Sequence, residues 1–187
     1  MKYLQIWLGK SPNSSILQCM QSVRDKLTDN DEYILISNGN FLNDENITWI
    51  DSNKYIKELR NDVDIDLVWK KIPSGNTGYC YKSDIIRLDY LSKNDNVLYL
   101  DCDVILLDVL KFSNDIIYLS KYNRMFDCYL MYGDKRYFKE VLYFCVKYVK
   151  PLTFFPHSWI FRIINCKKLT DKYTCAFIEN KYKHKDY

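Results

Sequence analysis

The chain has 187 residues, of which 48% are hydrophobic and 27% are charged, and its formal net charge is +3. This length accommodates one α/β domain with a substantial core but is short for two, and the small net charge argues against a general nucleic-acid-binding protein. No apolar run approaches the roughly 20 residues that a membrane-spanning helix needs. The seven cysteines are odd in number and include no CxxC pair, which indicates reduced thiols in a cytoplasmic protein.

The first elements predict a strand, a helix and a second strand. Residues 2–8 become polar too soon for a secretory signal and predict a strand. Apolar residues at helical spacing predict a helix over 14–27 with a serine as its N-cap, and residues 33–36 predict a buried strand. A crossover of this length makes the two strands parallel, so we expect ligands beyond Gly9 and Ser37.

The next segment is polar with scattered apolar residues. It predicts a short strand over 47–50 and helical segments over 55–59 and 64–70. A loop of small residues follows at 74–78, and its two glycines would let a ligand approach backbone N–H groups at the start of the next helix. By itself this loop is a weak signal, because such glycines occur in many turns.

The stretch over residues 81–107 is the centre of the prediction. Its first half has the period of a helix over 82–93, with Asp84 and Arg87 on the same face as two leucines. Its second half is a short apolar run over 97–100, typical of a buried parallel strand, which ends at Asp101-Cys102-Asp103.

Asp101 and Asp103 lie two residues apart in an extended segment, so their carboxylates are expected to project from the same side of the chain. Two neighbouring carboxylates repel each other, and a divalent cation with oxygen ligands offsets that repulsion. The carboxyl end of a strand in an open α/β sheet is also where such folds bind their ligands.

The remaining pattern predicts strands over 116–120 and 128–131 and a helix over 134–149 whose apolar face is core. An aromatic patch with one histidine follows at 154–161, and residues 180–187 are basic. This tail is interpreted as solvated, with contact to a membrane surface or an anionic substrate as the alternative. The whole pattern predicts one Rossmann-like α/β domain over 1–187, with a mostly parallel central sheet flanked by helices.

Two motifs in this order resemble the DXD-containing sugar transferases of GT-A fold, which include capsular and mannosyl transferases and the clostridial glucosylating toxins. The motifs are Ser83-Asp84-Ile85-Ile86-Arg87 and Tyr99-Leu100-Asp101-Cys102-Asp103, and Gln5-Ile6-Trp7-Leu8-Gly9 resembles the first strand of that group. The Gly-Gly turn of the family is replaced here by Lys93-Asn94-Asp95-Asn96. Asn and Asp tolerate left-handed backbone conformations, so this turn can still form.

The resemblance implies a metal-dependent hexosyltransferase that uses a nucleotide sugar, most commonly a UDP-sugar, and retains anomeric configuration. The implied acceptor is a glycan, a lipid-linked saccharide or a protein. Asp103 would hold Mn²⁺ or Mg²⁺ against the donor diphosphate, and Asp101 would contact the ribose and a metal-bound water. Asp84 and Arg87 would reach the hydroxyls of the donor sugar and the diphosphate.

The resemblance also implies the remaining donor contacts. Trp7 and Gly9 would border the base, and Tyr99 would lie near the ribose. Ser158 and Trp159 would lie over the diphosphate, and His157 is a candidate third metal ligand.

Simpler interpretations stand beside these roles. The DXD segment could be a solvated turn, Asp84 and Arg87 a plain i, i+3 ion pair, and Trp7 part of the core. His157 could be a packed core residue or an acceptor-site group, and the aromatic patch around it could be core.

Two other functions also remain open. A nucleotidyltransferase would need a Gly-rich basic loop after its first strand, which LGKSPNSS does not supply. A non-catalytic nucleotide-sugar binding module is favoured by the short chain.

Overall fold

A computed structural model describes residues 1–42, 44–113, 116–122, 125–148, 175–177 and 182–184. These residues include the strands and helices that the hydrophobic pattern predicts and several further strands. In chain order the elements are β1 (Lys2–Trp7), α1 (Ser14–Arg24), β2 (Glu32–Ser37), β3 (Ile47–Asp51), α2 (Ser52–Leu59), α3 (Val63–Trp69), α4 (Asn76–Lys93), β4 (Val97–Leu100), β5 (Val104–Leu106), β6 (Ile117–Tyr122), β7 (Met125–Tyr132), α5 (Lys135–Tyr148), β8 (Cys175–Phe177) and β9 (Tyr182–His184).

The described strands form a seven-stranded sheet in the order β3-β2-β1-β4-β7-β6-β8. The first four strands of this order are parallel to one another, β7 is antiparallel to both of its neighbours, and β8 is parallel to β6. Parallel pairings therefore outnumber antiparallel ones in the described part of the sheet. The predicted α/β architecture with a mostly parallel sheet is confirmed.

The two faces of the sheet are covered by different helices. Leu4 and Ile6 of β1 pack in one buried cluster with residues of α2, α3, α4 and α5. Tyr3 points to the other face and packs in a second cluster, with α1 and β5. This alternation follows from the pleat, in which successive side chains point to opposite faces.

The start of α4 differs from the prediction. The helix begins at Asn76, six residues before the predicted start, so residues 76–78 are helical and the prediction of a loop there is wrong. Gly78 allows the close packing of this first turn, because a Cβ at Gly78 would lie only 1.9 Å from the carbonyl oxygen of Pro73. The N-cap is Gly75, whose φ of +85° suits glycine.

Two other predictions are corrected, one on the N-cap of α1 and one on the basic tail. The N-cap of α1 is Asn13, whose side chain accepts a hydrogen bond from the Ile16 amide at 3.0 Å, whereas a serine was expected. Both residue types can cap a helix, because each places a side-chain oxygen near the first amides. In the basic tail, Tyr182–His184 is not solvated coil but β9, which pairs antiparallel with β5.

The turn before β4 forms without the Gly-Gly pair of the DXD-containing sugar transferases, the family that the sequence resembles. Asn96 adopts φ of +56°, the left-handed region that asparagine tolerates. Its carbonyl accepts a hydrogen bond from the Lys2 amide at 2.9 Å, which joins the turn to the start of β1. The predicted tolerance of Asn and Asp in this turn is confirmed.

The sheet has a switch point between β1 and β4. The chain leaves β1 through α1 toward β2 on one side, whereas β6 and β7, which follow β4 in the chain, lie on the other side. A crevice is expected beyond the carboxyl ends of two such strands, where the connections diverge. In the described residues, no helix combines the length and the apolar character needed to cross a bilayer.

Candidate functional site

A cluster of polar side chains lies at the edge of the sheet where β1 and β4 have their carboxyl ends, and Arg87 is at its centre. It projects from α4, is only 5% exposed, and its guanidinium lies 4.5 Å from the centroid of the Tyr99 ring on β4. Its Nη2 donates to Asp84, one turn earlier on α4, and its Nη1 donates to the carbonyl of Cys128 on β7 at 2.7 Å. Burial disfavours the charge of Arg87, but the neighbouring acidic groups together outweigh it, with Asp84 as the strongest of them, and they raise the pKa of the guanidinium well above its usual value.

Asp101 joins the same cluster from the end of β4. Its Oδ1 accepts a hydrogen bond from the Tyr99 hydroxyl and lies 3.4 Å from Nη1 of Arg87. Its amide donates to the carbonyl of Tyr129 on β7 at 2.8 Å. The structure therefore brings together four of the predicted site residues, Asp84, Arg87, Tyr99 and Asp101. The i, i+3 ion pair of Asp84 and Arg87 is present, but Arg87 also reaches beyond α4 to Asp101.

Two side-chain hydrogen bonds join Asp101 and Cys102 to β1. The pairing of β1 with β4 runs from Lys2 and Val97 to Leu4 and Tyr99. Beyond it, Nε2 of Gln5 donates to the carbonyl of Asp101 at 3.0 Å, and the Cys102 thiol donates to the carbonyl of Ile6 at 3.2 Å.

Sequence reasoning assigned no role to Gln5 beyond its place in the first-strand motif. The available signal was a single amide side chain in the otherwise apolar interior of the strand KYLQIW.

Asp103 lies half-buried in the turn between β4 and β5. Cys80 lies one helical turn before Asp84 on α4, and its thiol is affected by the charges of the nearby carboxylates, including Asp103. Partial desolvation raises the pKa of the Cys80 thiol, and the carboxylates of Asp84, Asp101 and Asp103 raise it further. Both DXD carboxylates thus lie within electrostatic reach of the face of α4 that carries Asp84.

Carboxylate oxygens are the ligands that Mn²⁺ and Mg²⁺ prefer. Among the described residues, no group of three or more His, Cys, Asp or Glu side chains is arranged to hold a metal ion. The two DXD carboxylates therefore supply at most part of a coordination shell, and the predicted metal site stays a prediction.

Gly9 brings the end of β1 to the first turn of α4. Its φ is +112°, and a Cβ at this position would lie 3.0 Å from the ring of Tyr79, which therefore packs directly on the glycine. The side-chain amide of Asn38, just after β2, donates to the carbonyl of Gly9 at 2.5 Å. Tyr79 is 39% exposed and is an aromatic residue at this edge that sequence reasoning missed.

Trp7 lies at the end of β1. It is half-buried, packs against the cluster on the α1 face, and donates its indole N–H to the carbonyl of Lys10 at 2.7 Å. The core interpretation of Trp7 is therefore supported for part of its surface. Its proposed place beside a base stays a prediction.

Three predicted site residues, His157, Ser158 and Trp159, lie outside the described residues, as does the aromatic patch at 154–161. Their implied roles stay predictions.

Comparisons with known proteins identify the fold. No protein-family model matches the sequence, and a search of curated proteins gives no match. The PaToxG glycosyltransferase is similar in structure, with a TM-score of 0.63 and 17% identity over 91% of this chain and 72% of that chain. The apo form of the glycosyltransferase GlyE of Streptococcus pneumoniae TIGR4 has a TM-score of 0.50 and 12% identity, over 94% of this chain and 44% of that chain. The chain thus has the fold of these glycosyltransferases, and at this level of identity the likeness concerns the fold.

Proposed function

We propose that this chain is a glycosyltransferase that moves a sugar from a nucleotide-sugar donor to an acceptor. The observation that carries the proposal is the cluster of Asp84, Arg87, Tyr99 and Asp101 at the switch point of a sheet with a glycosyltransferase fold. An open α/β sheet binds ligands at this position. The proposed donor is a UDP-sugar, and the proposed acceptor is a glycan, a lipid-linked saccharide or a protein.

Asp101 and Asp103 are the proposed ligands of Mn²⁺ or Mg²⁺. Cations of this kind often take only one or two carboxylates and complete their shell with phosphate oxygens and water, so two aspartates after a strand fit such a site. When bound, the cation would supply Lewis-acid stabilisation of the departing diphosphate. His157 is a further proposed ligand.

Arg87 has two proposed tasks. Its permanent positive charge, buried against Asp84 and near Asp101, offsets the two carboxylates at the edge where an anionic donor would bind. The diphosphate gains negative charge as it leaves, and fixed positive charge stabilises that change. Asp84 is the proposed contact to the hydroxyls of the donor sugar.

The other donor contacts are proposed along the edge formed by β1 and α4. Trp7 and Gly9 border the base, and the exposed ring of Tyr79, packed on Gly9, extends that surface. Tyr99 lies near the ribose through its contact with Asp101. Ser158 and Trp159 cover the diphosphate. Retention of anomeric configuration by attack on the same face of the sugar needs no nucleophilic side chain.

The first test is a thermal-shift screen of nucleotides and nucleotide sugars with and without Mn²⁺. A ligand at about 100 times its Kd adds about 2.7 kcal/mol of stability, which raises the Tm by a few degrees. We expect one nucleoside diphosphate sugar to stabilise the native chain only when the metal is present. Asp103→Ala should abolish that shift.

The matched control is Asp95→Ala, which removes an exposed carboxylate that pairs with Lys135. This variant should keep the full ligand shift. A ligand shift that is independent of both metal and Asp103 would contradict the proposed site.

The two alternative functions predict different products. A binding module would show the metal-dependent shift but release neither free sugar nor nucleoside diphosphate during prolonged incubation. A nucleotidyltransferase would instead release pyrophosphate from a nucleoside triphosphate and a sugar phosphate. Release of nucleoside diphosphate from the stabilising sugar donor would exclude the binding module and support transfer.

The remaining expectations concern location and surface contacts. A cytoplasmic location and a contact of residues 180–187 with a membrane surface are proposals that rest on the sequence. Sedimentation with anionic and neutral vesicles tests the second, because an electrostatic contact should appear only with anionic lipid and weaken with salt.

A further inference from the structure

Gln5 is a fully buried amide in the centre of the sheet, with both ends of its side chain engaged. Its Nε2 donates to the carbonyl of Asp101 at 3.0 Å, and its Oε1 accepts a hydrogen bond from the hydroxyl of Tyr33 on β2. A buried amide is costly unless it is hydrogen-bonded. These two contacts therefore link three neighbouring strands through one side chain.

The carbonyl of Asp101 can only accept, so it faces the NH₂ group of Gln5, and the hydroxyl of Tyr33 satisfies the other end of the amide. Tyr33 is 1% exposed, and burial raises the pKa of its phenol well above the usual value, so it remains a neutral donor. Because Oε1 of Gln5 accepts from this donor, the NH₂ group of Gln5 is left to face the carbonyl of Asp101. Without the Tyr33 hydroxyl, Oε1 of Gln5 would lose its donor in a buried position, which would weaken the hold of the amide on Asp101.

The contact lies where backbone pairing between β1 and β4 has ended. The paired residues stop at Leu4 and Tyr99, yet Asp101 and the Gly9 end of β1 lie beyond that point. The bond from Gln5 takes the place of a ladder hydrogen bond there. Together with the bond from the Cys102 thiol to the carbonyl of Ile6, it joins the two strand ends beside the expected crevice.

We propose that Gln5 and Tyr33 are positioning residues for the transfer reaction, a buried relay that holds Asp101 at the separation from β1 that donor binding and transfer require. This inference rests on the proposed glycosyltransferase function. Both residues are buried beneath the edge, and the proposal gives neither of them a contact with the donor. They act through the backbone of Asp101.

The first test measures the chain without donor. Hydrogen–deuterium exchange at the amides of Asp101 and Val104, each hydrogen-bonded near the relay, should speed up in Gln5→Met and in Tyr33→Phe. The matched control is Tyr3→Phe, because Tyr3 is an equally buried tyrosine that pairs directly with Tyr33 in the sheet. Exchange at both amides that follows only the overall stability of the variants, as in the control, would overturn the relay.

The second test measures transfer with the donor found by the thermal screen. Small misplacements of a catalytic group can reduce rate by about 100-fold, so Gln5→Met should lower kcat by about 10- to 100-fold, with a smaller loss in Tyr33→Phe. The Tyr3→Phe control should retain kcat at a similar Tm. Equal kcat in all three variants would overturn the inference.

The split between kcat and KM adds a readout that a purely structural role would not change. In Gln5→Met the loss should fall mainly on kcat, because the misplaced Asp101 acts in the transfer step, whereas a smaller folded fraction would lower the rates of all variants in proportion to their stability. A loss of rate that follows only the folded fraction would overturn the relay.

The outcomes separate this inference from the function it rests on. If the native chain shows no turnover with any nucleotide sugar, the proposed function fails, and the exchange rates alone decide whether the relay holds Asp101. If the native chain turns over and Gln5→Met matches the Tyr3→Phe control, the function stands and the relay fails.

Discussion

Arg87 shows how one buried charge can organise several elements. Its guanidinium contacts Asp84 on the same helix, Asp101 at the end of β4 and the carbonyl of Cys128 on β7. Burying an ion pair of this kind carries a desolvation cost. Removing only one partner is strongly destabilising, because it leaves an uncompensated buried charge. The cluster is therefore sensitive to loss of either partner of the buried pair, Arg87 or Asp84.

The first prediction follows from the cost of leaving a buried charge without its partner. Arg87→Met should lower the free energy of unfolding by about 3–5 kcal/mol, the usual cost of breaking a buried pair. Lys135→Met, which removes the exposed partner of Asp95, should change it by no more than about 1 kcal/mol. Urea unfolding of the two variants measures the difference, and equal effects would show that the Arg87 pairs contribute no more than a surface pair.

The second prediction concerns pH and Asp134. Hydrogen bonding from Arg136 lowers the pKa of this carboxyl, and its Oδ1 also accepts from the Arg136 amide at 2.7 Å. Because the folded pKa lies below the unfolded value of about 3.9, the ionised form stabilises the fold above that pH and the gain is lost as pH falls through the folded pKa.

Asp134 immediately precedes α5, and its Oδ1 caps the start of that helix by accepting from the Arg136 amide. Asp134→Asn keeps this capping oxygen but removes the charge. The stability difference between native chain and variant should therefore be largest above about pH 5 and shrink toward pH 3. Urea midpoints across this range provide the measurement. A difference that stays constant with pH would assign the effect to the cap alone.

At the scale of elements, α4 connects the core to the candidate site. Arg87 in its centre pairs with Asp84 and lies against Tyr99 of β4, and its first turn carries Tyr79 against Gly9. This first turn depends on two glycines for different reasons. Gly75 has positive φ with open space around it, whereas Gly78 has no room for a Cβ.

The third prediction compares these glycines. Gly75→Ala should cost about 1–3 kcal/mol, because only backbone strain is added at a φ of +85° and ψ of −167°. Gly78→Ala should cost more and weaken nucleotide binding, because the Pro73 segment and the first turn must move apart. Unfolding and thermal-shift measurements on both variants test this, and a smaller effect for Gly78→Ala would contradict the packing argument.

At the scale of the whole molecule, the sheet is stable at its centre and open at one edge. β1 and β4 have paired neighbours on both sides, and most of their side chains are buried. β3 is paired only with β2, and Thr48 and Trp49 are exposed within it. Edge strands open more readily than central strands, because fewer contacts are lost when they do.

The fourth prediction is the resulting order of protection. Amides of β1 and β4 should exchange slowest in hydrogen–deuterium exchange, with β2 next, whereas those of β3 should exchange much faster. Bound donor and metal should slow exchange further at Asp101 and Val104, while β3 should be unchanged. Uniform protection across the four strands would indicate that the sheet opens only as one unit.

Local pattern determined much of this architecture. The alternation of apolar runs and helical periods predicted the central strands and helices, because burial of a strand or a helix face requires that spacing. The same pattern predicted that Asp84 and Arg87 share a face of α4 and that the DXD carboxylates follow β4. The left-handed Asn96 was also predictable, since the preference is a property of the residue itself.

Tertiary structure decided which of these residues meet. Arg87 and the Cys128 carbonyl are 41 positions apart, and Gln5 and the Asp101 carbonyl are 96 apart. The packing of Tyr79 on Gly9 and the pairing of β9 with β5 are likewise long-range contacts. Periodicity shows which face of an element is buried but not which partner covers it, because the partner is chosen by strand order and packing across the whole sheet.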